Sequence, residues 1–240
     1  SIEKIEKIKQ LALSKNLNIL SSSWWRHNGL YEKINEVSES FLGGKPSSIV
    51  VEGGACGIVT SGIHFLDFAI QMFNSEPIST SAVLNDGKIN PRSPHLGFWD
   101  GVASWKFSEG RFCSISFSNK SSADWVCNIY CPKGIVNIRA GKTKIFKRNE
   151  DEVKADPRMT RTGETFHEDL LKNWKQRDFF TISKKLILEL ASDAVKFDIH
   201  SETIATKSII GALISSEKGS SQTLPIDSKD DFYKFDWPIS

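Results

Sequence analysis

Between about Ser79 and Lys147, apolar and polar residues alternate with period two in six successive stretches: TSAVLN, GVASWKF, RFCSISFS, DWVCNIY, GIVNIR and KTKIFK. Extended strands send successive side chains to opposite faces, so this pattern predicts strands and rules out a helix over the same residues. The separators Ser-Glu-Gly, Cys-Pro-Lys-Gly and Ala-Gly-Lys are short and turn-forming, which predicts hairpins and a meander-rich antiparallel sheet. The polar stretch from about Asn85 to Pro94 is a loop. Several strands alternate aromatic or aliphatic residues with Ser, Asn and Lys, so a face left uncovered by helices is either wetted or paired with another subunit.

Helical periodicity flanks this region. Ile2, Ile5, Ile8, Leu11 and Ala12 form an apolar stripe that predicts a helix ending near Asn16, whose first residues have the character of a helix interior. LNILSSS then predicts a strand stopping at Trp24–Trp25–Arg26. A second helix covers about Leu30 to Leu42 and stops at Gly43–Gly44, and SSIVVEG is a further strand. GGACGIVTSGIHFLDFAIQMF passes from glycines into a helix, about Ile63 to Phe73, that is apolar nearly all round. Such a helix is buried, so His64 and Asp67 on it need a reason to be there. Beyond a charged, irregular stretch, Asn149 to Gly163, three more helices are expected: Glu164 to about Gln176, Ser183 to Phe197 with Leu186, Ile187, Leu190, Ala194 and Phe197 buried, and Glu202 to Ser216. The aromatic tail KDDFYKFDWPIS is expected to pack back on the body.

Together these elements make an α+β fold: a large, mainly antiparallel open sheet with helices on one face, preceded by the last helix and strand of an α/β unit. Residues 1–25 are expected to be that remnant and residues 26–240 the main domain. The chain has the look of a piece of a longer protein. With 31 Lys and Arg against 29 Asp and Glu the net charge is only +2, and no basic block interleaves with aromatics, so nucleic acid is not an expected partner. No apolar run approaches the ~20 residues of a membrane span and SIEKIEKIKQ is too charged for a signal peptide, so a cytoplasmic protein is expected. Cys56, Cys113, Cys127 and Cys131 lack zinc-site spacing; unpaired, mostly buried thiols and no metal are expected.

Three stretches, in order, resemble the Gfo/Idh/MocA family of NAD(P)-dependent oxidoreductases. LALSKNLNILSSSWWRHNGLYEKINE is similar to the family's last helix and strand of the Rossmann-type domain, an Arg-containing turn and the helix beyond. GGACGIVTSGIHFLDFAIQMF with EPISTSAVL is similar to its central helix bearing G-x-H-x-x-D, here Gly62, His64 and Asp67. GALISSEKGSSQTLPI is similar to its closing helix. The resemblance implies the substrate-binding and oligomerisation part of a sugar oxidoreductase that uses NAD or NADP. The family's glycine-rich phosphate turn and its Glu-Lys-Pro lysine would fall before Ser1. Neither Gly43–Gly44 nor Gly53–Gly54 supplies G-x-G-x-x-G between strand and helix.

Moving a hydride to or from a sugar carbon requires a group that takes or gives the hydroxyl proton, and the resemblance assigns that role to His64. Many members carry an Asp four residues earlier; here the position is Thr60, whose hydroxyl orients a substrate but holds no negative charge near neutral pH. The expected substrate-side residues are Arg26, Trp24, Asp67, Arg158, Arg161 and His167. Against that stand simpler roles: Asp67 bonded to nearby backbone or to an Arg inside the fold, Arg26 in an ion pair packed on the tryptophans, Trp24 in the core, the arginines on a solvated surface. Two functions follow, a sugar or sugar-nucleotide oxidoreductase or a degenerate sugar-binding or assembly module, in either case a homo-oligomer, dimer or tetramer, through the open sheet face.

Overall fold

The computed structural model describes residues 1–20, 24–85, 95–139, 142–151, 164–167, 177–192 and 199–238. Arg158 and Arg161 lie outside them. The strands are β1 (Ser48–Gly53), β2 (Ser79–Asn85), β3 (Asp100–Lys106), β4 (Phe112–Phe117), β5 (Val126–Cys131), β6 (Gly134–Arg139), β7 (Lys142–Arg148), β8 (Glu164–His167) and β9 (Gln222–Thr223). They form one nine-stranded sheet in the order β8-β7-β6-β5-β1-β4-β3-β2-β9. Only β1 and β4 run parallel; the other neighbours are antiparallel. The six period-two stretches are β2 to β7, and the expected mainly antiparallel open sheet is the one observed. The meander is interrupted once, where β1 slots between β4 and β5.

Register explains why the sheet holds. Thr80, Trp105, Cys113, Ile49, Ile129, Val136 and Ile145 lie side by side across seven strands. Ala82, Ala103, Ile115, Val51, Cys127 and Ile138 form the next row, and every residue of both rows is buried. Helices α4 (Gly62–Phe73) and α6 (Ile199–Lys218) pack on this face. The Trp105 indole N–H donates to the Ser208 carbonyl at 3.0 Å. Beyond the short β9, the edge amides of Ala82 and Leu84 donate to the hydroxyls of Ser215 (3.0 Å) and Ser216 (2.9 Å), so the helix satisfies a strand edge that would otherwise be open.

The opposite face is barer. One row across it carries Phe112, Ser48, Tyr130, Ile135 and Phe146, the next is Ser104, Ser114, Val50, Asn128 and Asn137, and a third includes the exposed pair Val83 and Val102. The larger aromatics of the hairpins, Trp105, Phe107 and Phe117, are instead within 2% of full burial.

In helix α1 (Ile2–Ser14) the Ser1 hydroxyl accepts from Lys4 N–H at 3.3 Å. Of its stripe Ile2 and Ala12 are buried, but Ile8 and Leu11 remain over half exposed. Residues 17–20 are not the strand that their apolar run predicts: Asn16 turns left-handed (φ 49°) and Leu17 N–H bonds back to Ala12 O at 2.8 Å. A strand needs a neighbour to take its backbone groups, and among the described residues this one has none. Trp24–His27 is a single helical turn, α2, followed by α3 (Leu30–Ser40), which ends two residues before the expected Leu42; the left-handed Gly43 (φ 84°) and Gly44 (φ 133°) follow it and turn the chain toward β1.

The helix expected from Glu164 is, over Glu164–His167, the edge strand β8 on β7; the unpaired edge of β7 outweighs a weak helical pattern. Helix α5 (Phe179–Ser192) starts four residues earlier than its periodicity indicates and buries Ile182 and Leu186, whereas Ile187 is 64% exposed. Ala194 and Phe197 lie outside the described residues. The tail packs back as expected, with Phe232, Tyr233 and Trp237 against the core and Glu3 N–H bonded to Tyr233 O. No helix among the described residues is long and apolar enough to cross a membrane.

Candidate functional site

Strand β1 delivers the chain at Gly53 into a tight turn that leads to α4. A Cβ on Gly54 would stand 2.4 Å from Ser121 O and 2.5 Å from Ala123 O, so only glycine fits where the β1–α4 turn meets the β4–β5 connection. Gly54 and Ala55 N–H donate to Ala123 O (3.0 Å) and Ser121 O (2.9 Å), and Ile58 N–H donates to Trp99 O (2.8 Å). These contacts fix the start of α4. Ser61 and Gly62 N–H both turn back to Gly57 O, at 2.9 and 3.1 Å.

Thr60 belongs to this turn rather than to the helix. Its hydroxyl folds down over Gly57, where an added Cβ would stand only 2.5 Å away, with the Phe98 ring beside it. His64 lies in the first turn of α4 and is half-buried, while most of the helix around it is sealed. Thr60 and His64 therefore sit on successive turns at the same end of α4. Cys56, also in this turn, has its thiol pushed up by burial and by the Asp124 charge, against a hydrogen bond from the Ser61 side chain that draws it down.

Asp67, one turn further along, is consumed by Arg26. Arg26 Nε donates to Asp67 Oδ2 at 2.7 Å and Nη2 to Oδ1 at 2.6 Å, with a third bond from Nη2 to Ser201 O at 2.9 Å. Both side chains are more than nine-tenths buried. This fork ties α2 to α4 and α6. Trp25 reinforces it, its ring centroid 5.1 Å from Phe65, 6.0 Å from Phe68 and 5.5 Å from Trp125. Arg26 also borders a cleft of about 120 Å³ with Glu32, Arg177, Lys185 and Glu189. That is well short of the ~300 Å³ at which small-molecule pockets begin.

Among the other expected residues, Trp24 is placed in α2, but only its backbone is described. His167 ends β8, four strands from β1, on the order of 19 Å away at about 4.8 Å per strand. The structure thus groups Thr60 with His64 and Arg26 with Asp67, and sets His167 apart. Sequence reasoning missed Asn28. It is fully buried, its Oδ1 accepts from Leu30 N–H at 2.8 Å, and its Nδ2 has no acceptor among the described residues. The signal was present: an Asn followed by Gly just before a helix start forms an Asx turn, its side-chain oxygen accepting from the N–H two residues on, ahead of the Gly29 N-cap.

A nicotinamide dinucleotide needs backbone N–H groups aimed at its pyrophosphate. The glycine turn after β1 does not fit that task, because the N–H groups of Gly54, Ala55, Cys56 and Ile58 all donate to backbone carbonyls. Among the described residues no cluster of His, Cys, Asp and Glu is arranged to hold a metal.

No family model and no curated protein matches the chain in sequence. Solved structures do match. An aldose-aldose oxidoreductase from Caulobacter crescentus, solved with glycerol, superposes with a TM-score of 0.69 at 11% identity, over 93% of this chain and 69% of its own. An oxidoreductase from Agrobacterium radiobacter, in complex with NAD+, L-tartaric acid and magnesium, gives 0.63 at 14% identity, over 93% and 70%. The chain has the fold of the C-terminal part of such oxidoreductases. A super-repressor mutant of Gal80p from Saccharomyces cerevisiae matches as well, with a TM-score of 0.62 at 13% identity, over 93% and 69%. At these identities the likeness is one of fold.

Proposed function

We propose that this chain is the substrate-side part of a Gfo/Idh/MocA-type oxidoreductase acting on a hydroxyl or keto group of a sugar or sugar derivative. Residues 1–25 are then the join to a dinucleotide-binding unit, and residues 26–240 the substrate-binding and oligomerisation domain. NAD or NADP supplies the hydride chemistry from a site built by residues other than the turn after β1.

The observation that carries the reading is His64. A buried apolar helix holds few polar side chains without a reason, and for Asp67 the reason is the Arg26 fork. His64 instead sits half-exposed at the helix start, beside a turn whose backbone is held by the β4–β5 connection and by Trp99 O. Its imidazole takes the proton from a substrate hydroxyl, or returns it to a carbonyl oxygen, while Thr60 on the preceding turn orients that oxygen. Arg26 and Asp67 act on substrate only through the position they give α4.

Calorimetric titration of the chain with a panel of aldoses, polyols and nucleotide sugars tests this. At least one binds, His64→Ala weakens it about tenfold or more without lowering the melting temperature, and NADH fluorescence is unchanged by the chain. A wild-type chain that binds none of the panel, or a His64→Ala chain that binds it undiminished, overturns the reading.

Thr60 favours a second reading. Without a carboxylate one turn before His64 the site lacks the charge that would tune the imidazole, and one structural neighbour is named for repression rather than oxidation. A sugar-binding module without turnover keeps sugar affinity but shows no His64-dependent activity in its cellular setting.

The open sheet face is proposed as the subunit interface. The Phe112, Tyr130, Ile135 and Phe146 row and the Val83–Val102 pair give it apolar contact on either side of a small polar band. Light scattering of Phe112→Lys/Val83→Lys against wild type tests it: wild type is a dimer or tetramer and the variant dissociates. A wild type that stays monomeric at high concentration removes the proposal.

A further inference from the structure

Beside the tail lies a surface cavity whose lining includes neither Thr60 nor His64. It measures about 250 Å³ and is lined by Leu84 of β2, by Leu213, Ser216 and Glu217 of α6, and by Trp99, Phe235, Trp237 and Pro238. The rings stand nearly at right angles to one another. Trp99 and Trp237 have centroids 6.4 Å apart at 74°, Phe235 and Trp237 4.8 Å apart at 69°.

Particular residues build this corner. Gly97 N–H donates to Pro238 O at 2.7 Å, which anchors the tail beside residues 97–99. A Cβ at Gly97 would stand 2.2 Å from the Trp99 ring, so glycine alone lets that indole fold back toward the tail. The Leu84 N–H bond to Ser216 Oγ holds α6 against β2 on the other side. Phe235 remains 47% exposed while its ring packs against Trp237, so one side of it is accessible from the cavity's mouth.

The electrostatics of the cavity are one-sided. Among the described residues, Glu217 is the only charged side chain lining it. The adjacent cation, Lys218, turns elsewhere: its Nζ lies 2.6 Å from Asp230 Oδ2 and 5.7 Å from the centroid of Phe232, whose ring stacks on Trp237. Aromatic faces carry negative charge density and attract a cation without hydrogen-bonding it. A primary ammonium would lose hydrogen bonds here that the rings do not replace, whereas a methylated one makes none. Leu84, Leu213 and Pro238 suit its methyl groups. The volume is below the range for drug-sized ligands, so it admits a head group rather than a large molecule.

We propose that Trp99, Phe235, Trp237 and Glu217 form a receptor for a small quaternary ammonium group of the choline type. The site is linked to the candidate active turn through one residue, since Trp99 O is also the acceptor for Ile58 N–H.

The test uses the chain as it stands, titrated with choline, with tetramethylammonium, and with the neutral analogue of choline in which carbon replaces nitrogen. Tryptophan fluorescence and calorimetry follow binding. Choline and tetramethylammonium bind saturably, the neutral analogue binds about tenfold or more weakly, and Glu217→Gln and Phe235→Leu each weaken choline by about fivefold or more at unchanged melting temperature. Glu217 is exposed and Phe235 half-exposed, and the melting temperature of each variant separates loss of binding from loss of folding. Absence of saturable choline binding overturns the proposal. So does equal binding of the neutral analogue, which would make the cavity merely apolar, or a Glu217→Gln chain that binds choline as wild type does.

Discussion

The Arg26–Asp67 fork separates a structural role from a substrate role by its cost when broken. Asp67→Asn preserves shape and one acceptor but removes the charge facing a guanidinium whose side chain is 8% exposed. Two bonds, at 2.7 and 2.6 Å, lose their charged acceptor, and the remaining bond to Ser201 O does not neutralise the cation. Leaving one member of a buried ion pair uncompensated costs about 3–5 kcal/mol. In a domain of this size that is a fall in Tm of roughly 6–20 °C. Replacing both partners by apolar residues, Arg26→Met with Asp67→Leu, removes the desolvation cost along with the attraction. The double variant therefore returns to within about 2 kcal/mol of wild type, and the two single changes are strongly non-additive. Urea unfolding followed by tryptophan fluorescence reads this directly, because Trp25 adjoins the fork in sequence and packs on the same helix. If Asp67→Asn stays within about 1 kcal/mol of wild type, or the double variant costs the sum of the singles, the fork does not hold α2 on α4, and Asp67 returns as a residue that meets substrate.

Gly54→Ala pushes a methyl group into two backbone oxygens that cannot recede, and is expected to cost about 1–3 kcal/mol in urea unfolding and to weaken sugar binding at His64. Of the four thiols, Cys127, pushed up to about 12 by burial, and Cys113, raised by burial and by its neighbour Cys127, stay unreactive toward a disulfide reagent at neutral pH. Cys56 and Cys131 react slowly, and all four react in denaturant. Glu6 is drawn below the usual carboxylate range: burial works to raise it, but the Lys207 hydrogen bond at 3.0 Å and the charges of Lys207, Lys9 and His200 outweigh that. A lowered carboxylate stabilises the fold above its unfolded value near ~4.3 and loses that contribution as pH falls through the lower folded value. Lys207→Met thus makes acid unfolding begin at a slightly higher pH, an effect under about 1 kcal/mol because the pair is partly solvated.

What was legible before the structure was what neighbours in sequence decide. Alternation in TSAVLN or GIVNIR reports which residues share a face, and that survives any arrangement of the strands. The insertion of β1 between β4 and β5 was not legible, because SSIVVEG is equally apolar beside any central strand. LNIL misled for the converse reason: an apolar run makes a strand only where another strand meets it, and nothing within four residues says that. In α5 the helix was legible but its orientation was not, since Leu186 and Ile187 are both apolar and adjacent, and only packing decides that the first is buried and the second exposed.

The same limit governs the site. His64 and Asp67 are three residues apart on one helix, so spacing alone puts them about 60° apart on neighbouring positions of the same side. In the structure they differ in kind, because Asp67, 3% exposed, lies where Arg26 reaches across from α2, whereas His64 is half-buried in the first turn of α4. Forty-one residues separate the two halves of that fork. A motif read along one helix names the polar groups that need partners. The crossing element decides which of them is locked into an ion pair inside the fold, and for Asp67 that decision is written in Arg26, not in the motif.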